Sequence, residues 1–147
     1  MMPIVAVVMS LALLLLALLH AYWGFGGTWP GTDARSLART VAGHKGTTKM
    51  PSAAACLAVA MALLVAAVWP LLLSAEIGAG LPDWLAPLGG LVLAAVFAGR
   101  GILGYLPGWR RRTPELPFAR LDRLVYSPLC LALGAGFLAL LFDRLEP

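Results

Sequence analysis

Nine of the eleven Lys and Arg residues fall in two of the connections between four hydrophobic segments. Counting crossings puts those two connections on one side of any membrane the segments span. Few chain features restrict a fold more, because a segment in hydrocarbon must satisfy its own backbone hydrogen bonds and so must be helical or part of a closed barrel. The segments cover about residues 4–22, 53–73, 85–106 and 126–142, long enough for helices rising 1.5 Å per residue through roughly 30 Å of hydrocarbon. The expectation is an all-α, four-transmembrane-helix bundle forming a single integral membrane domain over residues 1–147. Composition agrees: 61% of residues are apolar and 12% charged, against roughly half and a quarter in soluble domains.

Charge sets the expected orientation. The first connection carries Arg35, Arg39, Lys45 and Lys49, and the third carries Arg110, Arg111, Arg112, Arg120 and Arg123. The N-terminus, the 74–84 connection with Glu76 and Asp83, and a tail whose one basic side chain is Arg144 share the opposite side. The positive-inside bias predicts both termini on the non-cytoplasmic side. Met1 to Ser10 contains no Lys or Arg, so the first segment reads as a span and not as a cleaved signal peptide. Tyr22, Trp23, Trp29, Tyr105, Trp109 and Tyr126 are expected at the inner interface, with Trp69 and Trp84 at the outer one. The localisation expected is a plasma membrane, multi-pass, and the Arg-over-Lys, Ala/Leu/Gly-rich composition suggests a bacterial source. The formal charge of +4 points to anionic headgroups rather than nucleic acid, since the basic residues flank apolar segments.

Small residues suggest packing faces. Ala54, Ala58, Ala62 and Ala66 recur every fourth position in the second span, as do Gly90, Ala94 and Ala98 in the third, with Ala132 and Gly136 in the fourth. Such stripes allow close backbone approach. In the fourth span, Ser127 followed by Pro128 reads as an N-cap with proline in the first turn. Because that start leaves a short helix, residues 121–126 are an alternative extension across a proline kink.

Polar groups in the membrane indicate where function resides. Arg100, roughly 9 Å or six residues from the inner end of its span, is the charged side chain lodged deepest. Snorkelling, a structural ion pair and an anionic ligand are all open to it. His20 ends the first span beside interfacial aromatics, where an imidazole can hold one fixed hydrogen bond, exchange protons or ligate. The topology places His20, Arg100, Asp122, Tyr126 and Ser127 in one layer, with Ser52 and Cys56 close in depth. The ligand-binding candidates are His20, Tyr22, Trp23, Arg100, Asp122, Tyr126 and Ser127, and Arg110, Arg111 and Arg112 are the membrane-surface cations. His20 and Asp122 are the candidates for acid-base catalysis. No metal site or cofactor is expected: Cys56 and Cys130 form no C-x-x-C, and His20 and His44 lack matching ligands.

The stretch from Leu19 through His20, Tyr22, Trp23, Gly26 and Gly27 to Pro30, together with Phe118 to Asp122 and Tyr126 to Leu131, resembles the signatures of small bacterial four-helix membrane proteins of uncharacterised function. The resemblance covers essentially the whole chain and implies the same architecture, without an activity. It matches His20, Tyr22, Trp23, Gly26, Gly27, Arg100, Asp122, Tyr126, Ser127 and Pro128 to motif positions. Relatives carry an Asp after the Gly that follows the third-span Arg, where this chain has Gly104 then Tyr105. That departure leaves Asp122 as the partner implied for Arg100. Two functions follow as expectations: binding of an anionic amphiphile at the inner leaflet, with membrane lipids as partners, or a small intramembrane enzyme moving a proton on a lipophilic substrate.

Overall fold

The computed structural model describes residues 1–74 and 81–145; Glu76, assigned above to the second connection, lies outside them. Among the described residues every regular element is helical. Four helices are long and apolar enough to cross a membrane. They are α1 (Met2–Gly24), α3 (Ala53–Ser74), α4 (Leu85–Leu103) and a continuous helix over Phe118–Leu145. This last helix is built from α6 (Phe118–Leu121), a π-helical turn (Asp122–Tyr126) and α7 (Ser127–Leu145). The short helices α2 (Ala34–Val41) and α5 (Pro107–Arg112) lie in the two basic connections.

The final helix begins well before residue 126, and its start explains the Ser-Pro pair. Pro128 has no N–H for the carbonyl four residues back, and its ring would crowd that carbonyl in α geometry. The chain widens there instead, and the Ser127 N–H bonds the Asp122 carbonyl. Ser127 is therefore inside a helix, not its N-cap. At the other basic end of the pair, α4 stops at Leu103 rather than Leu106, so Arg100 sits in its last turn. The negative end of the helix dipole lies there and favours a cation.

α1 packs along α3, and α4 along α7; the two pairs meet where α3 touches α4 and α7 and where α1 touches α7. Lipid tails are as apolar as leucine, so close packing rather than exclusion from water holds such helices together. Phe137, Leu13 and Leu140 are fully buried between the pairs, and the Phe97 and Phe137 rings stack at 5.9 Å. A Cβ on Gly134 would lie 2.9 Å from the Ala98 nitrogen and 3.2 Å from the Ala94 carbonyl. Only glycine lets these backbones approach so closely.

The third-span stripe is thus shared between two neighbours: Ala94 and Ala98 back onto Gly134 of α7, while buried Gly90 faces Leu73 of α3. The second-span stripe does not face a helix: Ala54, Ala58 and Ala62 are exposed and only Ala66 is buried. α3 turns Cys56, Ala60 and Ala67 inward instead. Its partner also approaches at Leu57, which a Cβ on Gly24 would meet at 2.9 Å. In the fourth span Ala132 is exposed, and Gly136 faces Met9 of α1.

The two basic connections dock on each other at one end of the bundle. The Lys45 N–H donates to the Arg112 carbonyl at 3.2 Å, and the Glu115 N–H to the Gly43 carbonyl at 3.2 Å. The Glu115 carboxylate accepts from the Gly46 N–H at 3.0 Å and pairs with Arg39 at 3.4 Å. The Tyr126 hydroxyl donates to the Thr40 carbonyl at 3.1 Å. Gly43 makes this possible, with φ of +64° and no side chain above Phe118. At the opposite end Arg144 donates to the Leu72 carbonyl at 2.9 Å, and the Trp69 indole to the Ala86 carbonyl at 3.0 Å.

Candidate functional site

The polar layer expected from the sequence divides into two separate groups. The first centres on Asp122, which is 2% exposed. Its Oδ1 receives Arg100 Nη2 at 2.6 Å and the Ser127 hydroxyl at 3.3 Å. Its Oδ2 receives Trp109 Nε1 at 2.9 Å. Arg100 Nη1 also reaches Ser127 Oγ at 3.5 Å, and the guanidinium lies 5.3 Å from the centre of the Trp109 ring. The group therefore joins α4, α5 and the π-turn around one neutral ion pair.

The backbone explains how residues 122 and 127 meet. In an α-helix, residues five apart are separated by about 140° around the axis. The wider i→i+5 turn brings them nearer in azimuth, and the hydroxyl reaches the carboxylate at 3.3 Å. Gly104 supplies the remaining room, because a Cβ there would overlap Ser127 Oγ and lie 3.1 Å from Asp122 Oδ2.

His20, Tyr22 and Trp23 form the second group and make no hydrogen bond, ion pair or ring contact with the first among the described residues. His20 Nδ1 donates to the Leu16 carbonyl at 2.8 Å, so the ring carries its proton on Nδ1. Its ring meets Trp23 edge-on at 4.9 Å. Trp23 Nε1 donates to the Trp29 carbonyl at 2.7 Å, and the Trp29 N–H approaches the Tyr22 hydroxyl at 3.4 Å. A Cβ on Gly27 would collide with the Tyr22 ring, while Gly26, at φ +90°, turns the chain. This motif clamps the loop that follows α1. Tyr126 belongs to neither group: it bonds Thr40 and its ring lies 5.8 Å from that of Phe118.

Trp109 is the member that the sequence reading assigned elsewhere, as an interfacial aromatic. Pro107 and Gly108 directly after Leu106 were a turn signal that could have suggested the fold-back, since a buried indole needs an acceptor. Arg110, expected as a surface cation with Arg111 and Arg112, also departs from its neighbours. It is half-buried while they are exposed.

Arg110 lines an open groove of about 390 Å³ with Leu116, Ala119, Arg120, Arg123 and Leu124. Arg120 and Arg123 project from one face of the final helix, three residues apart. Among the described residues, none of these three arginines pairs with a carboxylate within 4.0 Å. The apolar walls are open as well: Leu116 and Leu124 are 61% and 60% exposed. The Tyr105 hydroxyl donates to the Arg123 carbonyl at 3.0 Å, tying the α4–α5 turn to the groove wall. The 19 residues between Arg123 and Asp143 carry no charge, enough helix for about 28 Å of hydrocarbon. Arg120 and Arg123 lie just before that stretch.

Among the described residues no three His, Cys, Asp or Glu side chains gather in a way that could hold a metal, and Cys56 and Cys130 are free thiols. Residues 13–137 match the model of a family described as Protein of unknown function (DUF3995). The match extends over most of the chain, which belongs to that family. No curated protein and no solved structure matches it.

Proposed function

We propose that this integral membrane member of the DUF3995 family binds an anionic amphiphile at the basic end of its bundle, held there by the arginine groove. That end faces the cytoplasm and both termini lie outside, as the positive-inside bias requires. One contrast carries the reading. Arg100 is neutralised inside the protein by Asp122, whereas Arg110, Arg120 and Arg123 converge on an open groove with exposed leucines beside them. Cations above apolar side chains at the edge of hydrocarbon match a ligand with a charged head and a lipophilic body.

The site thereby moves from the expected Arg100, His20 and Tyr126 to residues at the protein surface. The acid-base alternative gains nothing comparable. Both oxygens of Asp122 are engaged and the group is almost fully buried, while His20 is bonded to its own helix. Native mass spectrometry of protein purified in dodecyl maltoside, offered phosphatidylglycerol and phosphatidylcholine in equal amounts, tests the reading. Phosphatidylglycerol adducts should predominate; equal retention of the two lipids defeats it. A periplasmic reporter fused to the C-terminus should be active in a bacterial host, and a reporter active only in the cytoplasm would reverse the orientation.

A further inference from the structure

We infer that the groove is built for a terminal phosphate, so that the preferred amphiphile is a lipid phosphomonoester rather than a phosphodiester. The inference rests on the amphiphile-binding reading and adds the headgroup class to it. A phosphomonoester carries about −1.5 to −2 charges near pH 7 and three acceptor oxygens on one atom. A phosphodiester carries one charge, and two of its phosphate oxygens are bonded to carbon. Three guanidiniums without carboxylate partners, drawn from α5 and from one helical face, offer more cationic charge than a single negative charge neutralises. Arginine is also the side chain suited to forked contacts with several oxygens of one phosphate.

The positions of the three fit a head that enters from the lipid side. Arg110 is half-buried, and Arg120 and Arg123 are exposed. Leu124 directly follows Arg123 and is exposed at the start of the uncharged stretch. A lipid whose phosphate meets the arginines can lay its glycerol and first methylenes against Leu124 and Leu116. An inorganic phosphate would make the polar contacts and lose the apolar ones, so the occupant is a membrane lipid.

The test uses the full-length protein in nanodiscs of phosphatidylcholine containing either phosphatidic acid or phosphatidylglycerol, adjusted to equal surface charge. Lipid co-purifying with the protein is counted by mass spectrometry after transfer to detergent. The wild type should retain phosphatidic acid over phosphatidylglycerol by about tenfold. The double variant Arg120→Gln, Arg123→Gln should lose that preference. The double variant Arg111→Gln, Arg112→Gln removes the same charge from exposed residues outside the groove, and it should lower retention of both lipids while keeping the ratio. Inorganic phosphate at 10 mM, roughly a hundred times a 0.1 mM lipid, should leave the bound lipid in place. Three results would overturn the inference: equal retention of the two anionic lipids by the wild type, an equal change of ratio in both double variants, or release of lipid by inorganic phosphate. The first two leave amphiphile binding intact, since phosphatidylglycerol would still exceed phosphatidylcholine. If neither anionic lipid exceeds phosphatidylcholine, the broader reading fails as well.

Discussion

Removing the charge of Asp122 while keeping its shape examines the central ion pair most directly. Asp122→Asn keeps one acceptor oxygen, which can take the Trp109 N–H while its NH2 donates to the Ser127 hydroxyl, yet it leaves Arg100 without a counter-ion. Stripping one partner from a fully buried pair costs about 3–5 kcal/mol. Arg100 is not fully buried: its side chain is 31% exposed, against 2% for Asp122. It also lies in the last turn of α4, where a guanidinium can reach water or lipid phosphate. Solvent screening and that escape reduce the expected loss to about 2 kcal/mol. Arg100→Gln should cost more, about 3 kcal/mol, because the carboxylate it abandons has no route to water. The double variant should then lose clearly less than the sum of the two, giving a coupling of about 2 kcal/mol. Reversible unfolding in mixed dodecyl maltoside and SDS micelles, followed by helical circular dichroism and tryptophan fluorescence, provides the four stabilities. Losses that add to within about 0.5 kcal/mol would refute the claim that these groups stabilise each other, whatever their distance.

Gly104→Ala should be destabilising by about 1–3 kcal/mol, since its Cβ overlaps Ser127 Oγ; pairing it with Ser127→Gly should recover much of the loss in the same unfolding assay. Trp109→Phe keeps the ring beside Arg100 but withdraws the N–H from buried Asp122 Oδ2, and a loss of about 1–3 kcal/mol is expected; no change would show the bond to be dispensable. In the first connection, hydrogen bonds from the backbone and side chain of Ser36 hold the Asp33 carboxyl below its ordinary value of 3.8. A carboxyl lowered on folding supports the capped α2 above that value and loses its contribution as pH falls through the lower folded value. The protection of the Ser36 amide, its exchange rate relative to an unstructured chain at the same pH, should therefore fall below pH 4 in the wild type, and Asp33→Asn, which still caps a helix, should abolish that dependence.

The four crossings and the grouping of cations at one end were legible because hydrocarbon imposes them: length, apolarity and charge position suffice. That Arg100 and Asp122 share a depth was legible for the same reason; that they pair was implied by the family resemblance. Which way α3 turns was not. Its lipid face and its protein face are equally apolar, so Ala54, Ala58 and Ala62 look identical to a packing stripe although they are exposed. The layer argument grouped His20 with Arg100 because depth can be read from a sequence and azimuth around the bundle cannot. The structure gives His20 to the α1 loop clamp instead. The inward fold of Trp109 depends on a short turn after Leu106 and on the position of Asp122 in another element. Neither follows from local pattern.

The widened turn before Pro128 also works as a vernier between two halves of one helix. An i→i+5 turn contains one residue more than an α turn, and each residue corresponds to about 100° of rotation. The half carrying Phe118, Arg120 and Arg123 is thus clocked separately from the half carrying Leu133, Phe137 and Leu140. Deleting one residue from 124–126 would turn the half carrying Phe118, Arg120 and Arg123 by about 100° and carry Asp122 away from Arg100, while α7 kept its neighbours.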